Sequence, residues 1–139
     1  MEGRALNLLL DTAAWINGVK EPETLPQGVL RLLRDEENSF SLSGISLLEA
    51  SFLSRKKKVD FGMRFRDWLE PALRNVTLLP LTAQIAAIEN ELPAFFQGDP
   101  ADRIITATAK AHGLTLLTPD PEIEFHKVVK TVHYKWRPQ

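Results

Sequence analysis

Four acidic residues, Asp11, Glu49, Asp102 and Asp120, are the side chains whose type and position in the chain suggest chemistry. Each lies where an apolar run ends or a helical pattern begins. Asp11 follows Leu8-Leu9-Leu10, and Glu49 closes Ser46-Leu47-Leu48-Glu49. Asp102 comes three residues after Asp99, and Asp120 follows Leu116-Leu117-Thr118-Pro119. Carboxylates gathered at one point repel one another, so their pKa values rise unless a cation joins them. Carboxylate and water oxygens are the ligands that Mg²⁺ and Mn²⁺ favour. Each acid also has a purely structural reading. Ser46-x-x-Glu49 has the form of a capping box. Asp102 at the third helical position favours the helix dipole. Asp120 before Pro121 suits a helix cap, and Asp11-Thr12 suits a polar turn after a strand. Caps contribute about 1 kcal/mol and are equally well made by Ser, Thr or Asn. Acids at all four positions therefore favour an oxygen-rich metal site.

These acids need a scaffold that brings distant parts of the chain together, and the pattern of elements supplies one. The stretch GDPADRIITATAKAHGLTLLTPD, from Gly98 to Asp120, reads as one helix feeding one buried strand. Asp99 is an N-cap, with Pro100 at the first helical position, where its missing N–H costs nothing. Gly113 ends the helix in the left-handed conformation that glycine accepts. Leu114 to Leu117 then forms a strand whose continuous hydrophobicity fits burial on both faces, as in a parallel sheet. Leu6 to Leu10 reads as a first strand, with a short helix from Ala13. Phe40, Leu42 and Ile45 mark a second strand, and a helix opens at Ser46 with Phe52 and Leu53 on its buried face. Phe61, Phe65, Trp68, Leu69 and Leu73 mark an amphipathic helix. Val76 to Leu81 is a third strand interrupted by Pro80. Thr82 caps a helix reaching Glu91, and Val128 to Trp136 has the composition of a final edge strand. Strands alternating with helices predict a three-layer α/β/α sandwich with a central, mainly parallel sheet. Ligands of open α/β sheets bind beyond the strand C-termini, and all four acids fall at that edge.

Composition limits the alternatives. The 139 residues suit a single domain, spanning 1–139, with a substantial core. There is no cysteine, which excludes thiol catalysis and cysteine-ligated metals and is compatible with a reducing cytoplasm. No apolar run approaches the roughly 20 residues of a membrane span, and no secretion signal is expected. With a net charge of −1, contact with nucleic acid must come from local patches or metal ions. His112, His126 and His133 lack metal-ligand spacing, and no nucleotide-binding glycine loop or serine-hydrolase elbow is present. Trp15, Phe52, Phe61, Phe65 and Trp68 read as core rather than as stacking platforms. Arg55-Lys56-Lys57-Lys58, with Arg64 and Arg66, reads first as a solvated face; the other reading is a dock for RNA phosphates or an acidic partner.

The segments LLLDTAAWIN, SLSGISLLEASFL, GDPADRIITATAKAHG and LTLLTPDPEI, in that order, resemble the PIN domain, specifically the VapC-type toxin ribonucleases of bacterial toxin–antitoxin pairs. DPADRIITATA with LLTPD downstream is the specific part. The resemblance implies a PIN-like α/β/α sandwich and metal-dependent cleavage of RNA phosphodiester bonds, with Mg²⁺ (or Mn²⁺) as cofactor. It implies catalytic and metal-binding roles for Asp11, Glu49, Asp102 and Asp120. Thr12, Ser46 and Thr118 occupy the hydroxyl positions that support those acids, and Asp99 is mainly the helix cap with a possible supporting role. Asp11 and Asp102 are expected to hold the principal ion, with Glu49 and Asp120 completing its shell, positioning water or holding a second ion. A cognate antitoxin, an RNA substrate and a homodimer follow from the same resemblance, while the cytoplasmic location and the lack of membrane association are expected from the composition. Rival readings are a housekeeping RNA-processing nuclease, a non-catalytic PIN interaction module, and a phosphoacceptor signalling domain. The last usually pairs adjacent acids after its first strand, which Asp11-Thr12-Ala13 does not.

Overall fold

In the computed structural model, which describes residues 5–93, 99–122 and 127–136, the run Leu8-Leu9-Leu10 lies at the centre of a five-stranded sheet. In chain order the elements are β1 (Asn7–Leu10), α1 (Thr12–Lys20), α2 (Gln27–Arg34), β2 (Ser39–Ser43), α3 (Gly44–Arg55), α4 (Phe65–Ala72), β3 (Thr77–Leu79), α5 (Ala83–Asn90), α6 (Pro100–His112), β4 (Thr115–Thr118) and β5 (Thr131–His133). A single 3₁₀ turn, Pro22–Thr24, joins α1 to α2. All pairings are parallel, in the order β3-β2-β1-β4-β5. The chain winds outward from β1 to β3, then returns to build β4 and β5 on the other side. The order therefore reverses between β1 and β4, and a crevice opens beyond their C-terminal ends at such a reversal.

Both faces of the sheet are covered, which is why β1 and β4 read as continuous apolar runs rather than alternating ones. Successive side chains still point to opposite faces. Leu9 and Leu116 pack with Ile105 and Ala109 of α6. Leu10, Leu42 and Leu117 face the larger core of Trp15 (α1), Val29 and Leu30 (α2), and Trp68 and Ala72 (α4). Trp15 and Trp68 rings lie 5.1 Å apart, and the Trp15 indole N–H donates to the Ala72 carbonyl at 2.9 Å. The result is the α/β/α sandwich expected from the pattern of elements.

α6 forms as its ends dictate. Asp99 accepts the Asp102 N–H at 2.8 Å, Pro100 follows, and Gly113 turns out at φ 64°. The small residues Ala107 and Ala109 are buried against the sheet. Thr106 and Thr108, also buried, satisfy their hydroxyls on the carbonyls of Asp102 and Ile104. Thr82 caps α5, accepting the Ile85 N–H.

Several local expectations differ from the structure. β2 ends at Ser43, so Ile45 belongs to the first turn of α3. α3 is capped by Ser43, which accepts the Ile45 N–H at 3.2 Å, so Ser46-x-x-Glu49 is not a capping box. The chain turns into the helix directly at Ser43-Gly44, which carries Ser46 inside it. Phe61 precedes α4 rather than belonging to it, though its ring packs 4.4 Å from that of Trp68. β3 is only Thr77–Leu79; Pro80, lacking an N–H, ends the ladder. Within Val128 to Trp136, only Thr131–His133 pairs. Phe52 is 43% exposed and is not a core residue. Gly98 and His126 lie outside the described residues.

Candidate metal-binding active site

The reversal between β1 and β4 carries a cleft of about 430 Å³ lined by Asp11, Thr12, Glu49, Leu53, Asp102, Pro119 and Asp120, among others. All four sequence-nominated acids line it. A hollow of about 510 Å³ opens at the other end of the strands, among Asn38, Ser39, Asn75 and Thr77. None of the perturbed acids lies there, so its size carries no functional weight.

Hydrogen bonds hold three of the acids at the cleft. Asp11 is both the N-cap of α1 and a cleft residue: Oδ1 accepts the Ala14 N–H at 2.8 Å, and Oδ2 accepts the Thr118 hydroxyl. Thr118 also accepts the Asp120 N–H at 2.9 Å, so one β4 hydroxyl ties Asp11 to the loop carrying Asp120. Asp120 Oδ1 accepts the Glu122 N–H, the cap-like role that Pro121 suggested. Glu49 accepts the Thr12 hydroxyl, and that hydroxyl is 2.8 Å from the fully buried Ser46 hydroxyl. Ser46 thus supports Glu49 through Thr12 rather than through a helix cap. Capping therefore coexists with site formation, because a carboxylate has lone pairs for both.

The electrostatics are those of acids forced together. Asp11 is raised from 3.8 to about 6, chiefly by burial, against the lowering effect of the Thr118 and Ala14 hydrogen bonds; Asp120 and Glu49 add repulsion. Burial also raises Glu49, opposed by Thr12 and assisted by the charge of Asp99. Asp102 is raised to about 7, first by burial and then by Asp99, Asp120, Glu49 and Asp11. Burial and all four neighbouring acids act on Asp102 in the same direction, against the α6 dipole. Asp99 contributes to this field while capping α6, but it does not line the cleft.

This donor set fits a hard divalent cation. Among the described residues no three acidic or histidine side chains close into a direct ligand group. An ion on these acids would therefore be held by one or two carboxylates and otherwise through water, as Mg²⁺ is able to be. The N-termini of α1 and α6 meet the acids here, and helix N-termini favour anionic groups such as phosphate.

The sequence did not single out Tyr134 or Asn17. Tyr134 is buried beneath the larger core, and burial, with the charge of Asp11, holds its hydroxyl above its usual range. The Asn17 amide is its near neighbour, yet neither the Tyr134 hydroxyl nor the Asn17 amide nitrogen reaches hydrogen-bond geometry with any described residue. Its being the only tyrosine in the chain was the one available signal. His133 does not line the cleft; its Nε2 lies 3.1 Å from the Pro119 carbonyl in the Asp120 loop.

The hydrogen bond from Thr118 gives a direct prediction. Thr118→Val keeps the shape but removes the hydroxyl that lowers Asp11. In EDTA the Asp11 carboxyl is expected to titrate higher than in the parent, read by carbon-detected NMR of labelled carboxyls. An unchanged Asp11 titration would mean that the bond does not hold its charge.

The sequence matches the PIN domain family over residues 8–130. It is 30% identical over 122 residues to ribonuclease VapC22 of Mycobacterium tuberculosis, covering 86% of this chain and 92% of that protein. The DNA-bound VapBC structure from Salmonella typhimurium superposes with a TM-score of 0.71 at 21% identity, covering 92% of this chain and 98% of that one. A toxin–antitoxin complex from Klebsiella pneumoniae gives 0.67 at 20% identity, with the same coverage. These two likenesses show the fold, while the family match and the ribonuclease relative show descent: the chain belongs to the PIN domain family, in its VapC-type group.

Proposed function

We propose that this chain is a divalent-metal-dependent endoribonuclease that hydrolyses RNA phosphodiester bonds and acts as the toxin of a toxin–antitoxin pair. The observation that carries the reading is that Asp11, Glu49, Asp102 and Asp120 line one cleft, where burial and the neighbouring acids raise the Asp102 carboxyl, and a cation relieves such crowding. The 30% identical relative named a ribonuclease supports RNA as substrate. The resemblance of the acidic segments to VapC-type toxins supports the toxin role, with residues 1–139 forming one domain.

Asp11 and Asp102 would hold the principal Mg²⁺, directly or through water, and Mn²⁺ could replace it. When bound, that ion supplies charge neutralisation at the phosphate and a more acidic water. The rest is done by the chain. Thr118 and the Ala14 N–H fix the rotamer of Asp11. Ser46 and Thr12 fix Glu49, which with Asp120 would position the attacking water. The N-termini of α1 and α6 favour the phosphate. A cognate antitoxin covers the acidic cleft, and an Arg suits it best, because its planar guanidinium pairs bidentately with carboxylates. A homodimer and a cytoplasmic setting accompany this reading. Among the described residues no helix is long and apolar enough to cross a membrane.

The test is expression of the chain without its antitoxin. The parent is expected to slow growth and the Asp11→Asn form is not. The purified parent should cleave total cellular RNA in Mg²⁺ and lose that activity in EDTA. Equal growth at matched soluble levels, with cleavage intact, would favour the housekeeping reading; absent cleavage would favour an interaction module.

A further inference from the structure

β5 and residues 134–136 lie beyond residues 8–130, the span that matches the family, yet their hydrogen bonds run to the loop that carries Asp120. His133 pairs with Thr118 in the parallel register, and the Tyr134 N–H extends the ladder to the Thr118 carbonyl at 3.2 Å. The carbonyl that follows, that of Pro119, meets a side chain instead: His133 Nε2 stands 3.1 Å away. A carbonyl only accepts, so this ring nitrogen carries the proton and donates. The strand that presents His133 is anchored on its own account. Tyr134, pointing to the opposite face, is buried in the larger core. The Trp136 indole N–H donates to the Thr24 hydroxyl at 2.8 Å.

The Pro119 carbonyl and the Asp120 N–H are the two ends of one peptide plane. That N–H donates to the Thr118 hydroxyl oxygen at 2.9 Å, and the same hydroxyl donates to Asp11 Oδ2. The plane just before Asp120 is thus gripped at both ends, by β5 through His133 and by β4 through Thr118. Proline fixes φ at residue 119, so ψ of Pro119 and φ of Asp120 are the torsions left to aim the acid, and these two bonds hold them.

We propose that His133 is a positioning residue for the metal-directed acids, fixing the peptide plane before Asp120 and, through the Thr118 hydroxyl, the carboxylate of Asp11. The proposal rests on the nuclease reading and adds to its site a residue outside the four acidic segments. Without the His133 donor, the half-buried Pro119 carbonyl loses its partner, and the plane is free to turn toward another one. Turning swings the Asp120 N–H off Thr118. The Thr118 hydroxyl then donates to Asp11 without the polarisation that its own accepted bond supplies. Catalysis feels displacements of this size, because misplacement by about 1 Å costs up to about a hundredfold in rate.

The test compares the parent with His133→Leu, which removes the donor, and His133→Gln, which keeps an N–H at similar reach. Amide hydrogen exchange of the metal-free full chain, read by NMR, follows Asp120, with the ladder amides of Leu116 and Tyr134 reporting on β5 itself. In His133→Leu the Asp120 amide should exchange about tenfold faster, while the Leu116 and Tyr134 amides exchange as in the parent. In Mg²⁺, cleavage of total RNA at saturating RNA should fall about tenfold, with the RNA concentration for half-maximal rate unchanged. His133→Gln should restore both. Either a parental Asp120 exchange rate or a parental cleavage rate in His133→Leu would overturn the assignment. Equal loosening of the Leu116 and Tyr134 amides would make His133 a holder of the strand alone and overturn it as well, as would failure of His133→Gln to restore the rate. Absence of Mg²⁺-dependent cleavage by the parent would instead sink the nuclease reading, while the exchange of Asp120, which needs no catalysis, still decides whether His133 holds the loop.

Discussion

Asp102→Asn is expected to lower RNA cleavage by about 10²–10³-fold while leaving the fold intact. The helix start does not depend on this carboxylate: the Asp102 N–H is held by Asp99, and Pro100 stands at the first helical position. Asparagine keeps the shape of the side chain and removes its charge. Metal assistance is worth several kcal/mol, and each 1.36 kcal/mol is a factor of ten in rate. Loss of an anchoring carboxylate therefore predicts a drop of that order. The matching change at Asp11 is less clean. Both Asp11 oxygens accept hydrogen bonds, from the Ala14 N–H and the Thr118 hydroxyl, and an asparagine amide can accept only through its one oxygen. The measurement is cleavage of total RNA in Mg²⁺ by parent and variant purified in parallel, with circular dichroism as the check on folding. A variant cleaving at the parental rate would remove Asp102 from the site.

The same substitution is expected to stabilise the metal-free protein at neutral pH. The folded-state pKa values of Asp11 and Asp102, about 6 and about 7, stand above the ordinary 3.8. The folded state therefore binds more protons than the unfolded state between about pH 4 and pH 7. Stability must fall as pH rises through that window. The penalty is absent below about pH 4 and complete above about pH 7. The parent in EDTA should melt higher at pH 5 than at pH 7.5. Each pKa unit corresponds to about 1.4 kcal/mol, but Asp102 is partly exposed and solvent screens much of it. Lost helix-dipole stabilisation opposes the gain by about 0.3–1 kcal/mol. A net gain of about 1–2 kcal/mol remains, or about 3–8 °C in Tm for a chain of this size. Mg²⁺, binding only the folded form, should raise the parent's Tm by mass action and the variant's by less. Thermal melts of both proteins at pH 5 and 7.5, in EDTA and in millimolar Mg²⁺, read all of this. If the variant melts lower than the parent in EDTA and gains as much from Mg²⁺, the acids are helix caps and nothing more.

What the sequence by itself determined about this protein lies within a few residues of each feature. Asp99-Pro100 and Gly113 bound α6 because a cap acceptor, a proline and a left-handed glycine each act on the nearest turn. The apolar runs at Leu8 to Leu10 and Leu116 to Leu117 declared strands buried on both faces, and the acids following them fell at the strand ends. Resemblance over the acidic segments then identified the family. Tertiary structure decided the rest. Strand order placed β1 beside β4 and so joined Thr118 to Asp11 across 107 residues. It brought Thr12 to Ser46 and Glu49 across 34 and 37, which turned an apparent capping box into support for a cleft residue. It also left Phe52 exposed beside that cleft, although spacing along the helix had marked it as core. Caps, turns and periodicity act over one or two helical turns, whereas which hydroxyl meets which carboxylate depends on how helices pack across a sheet whose order no local signal encodes.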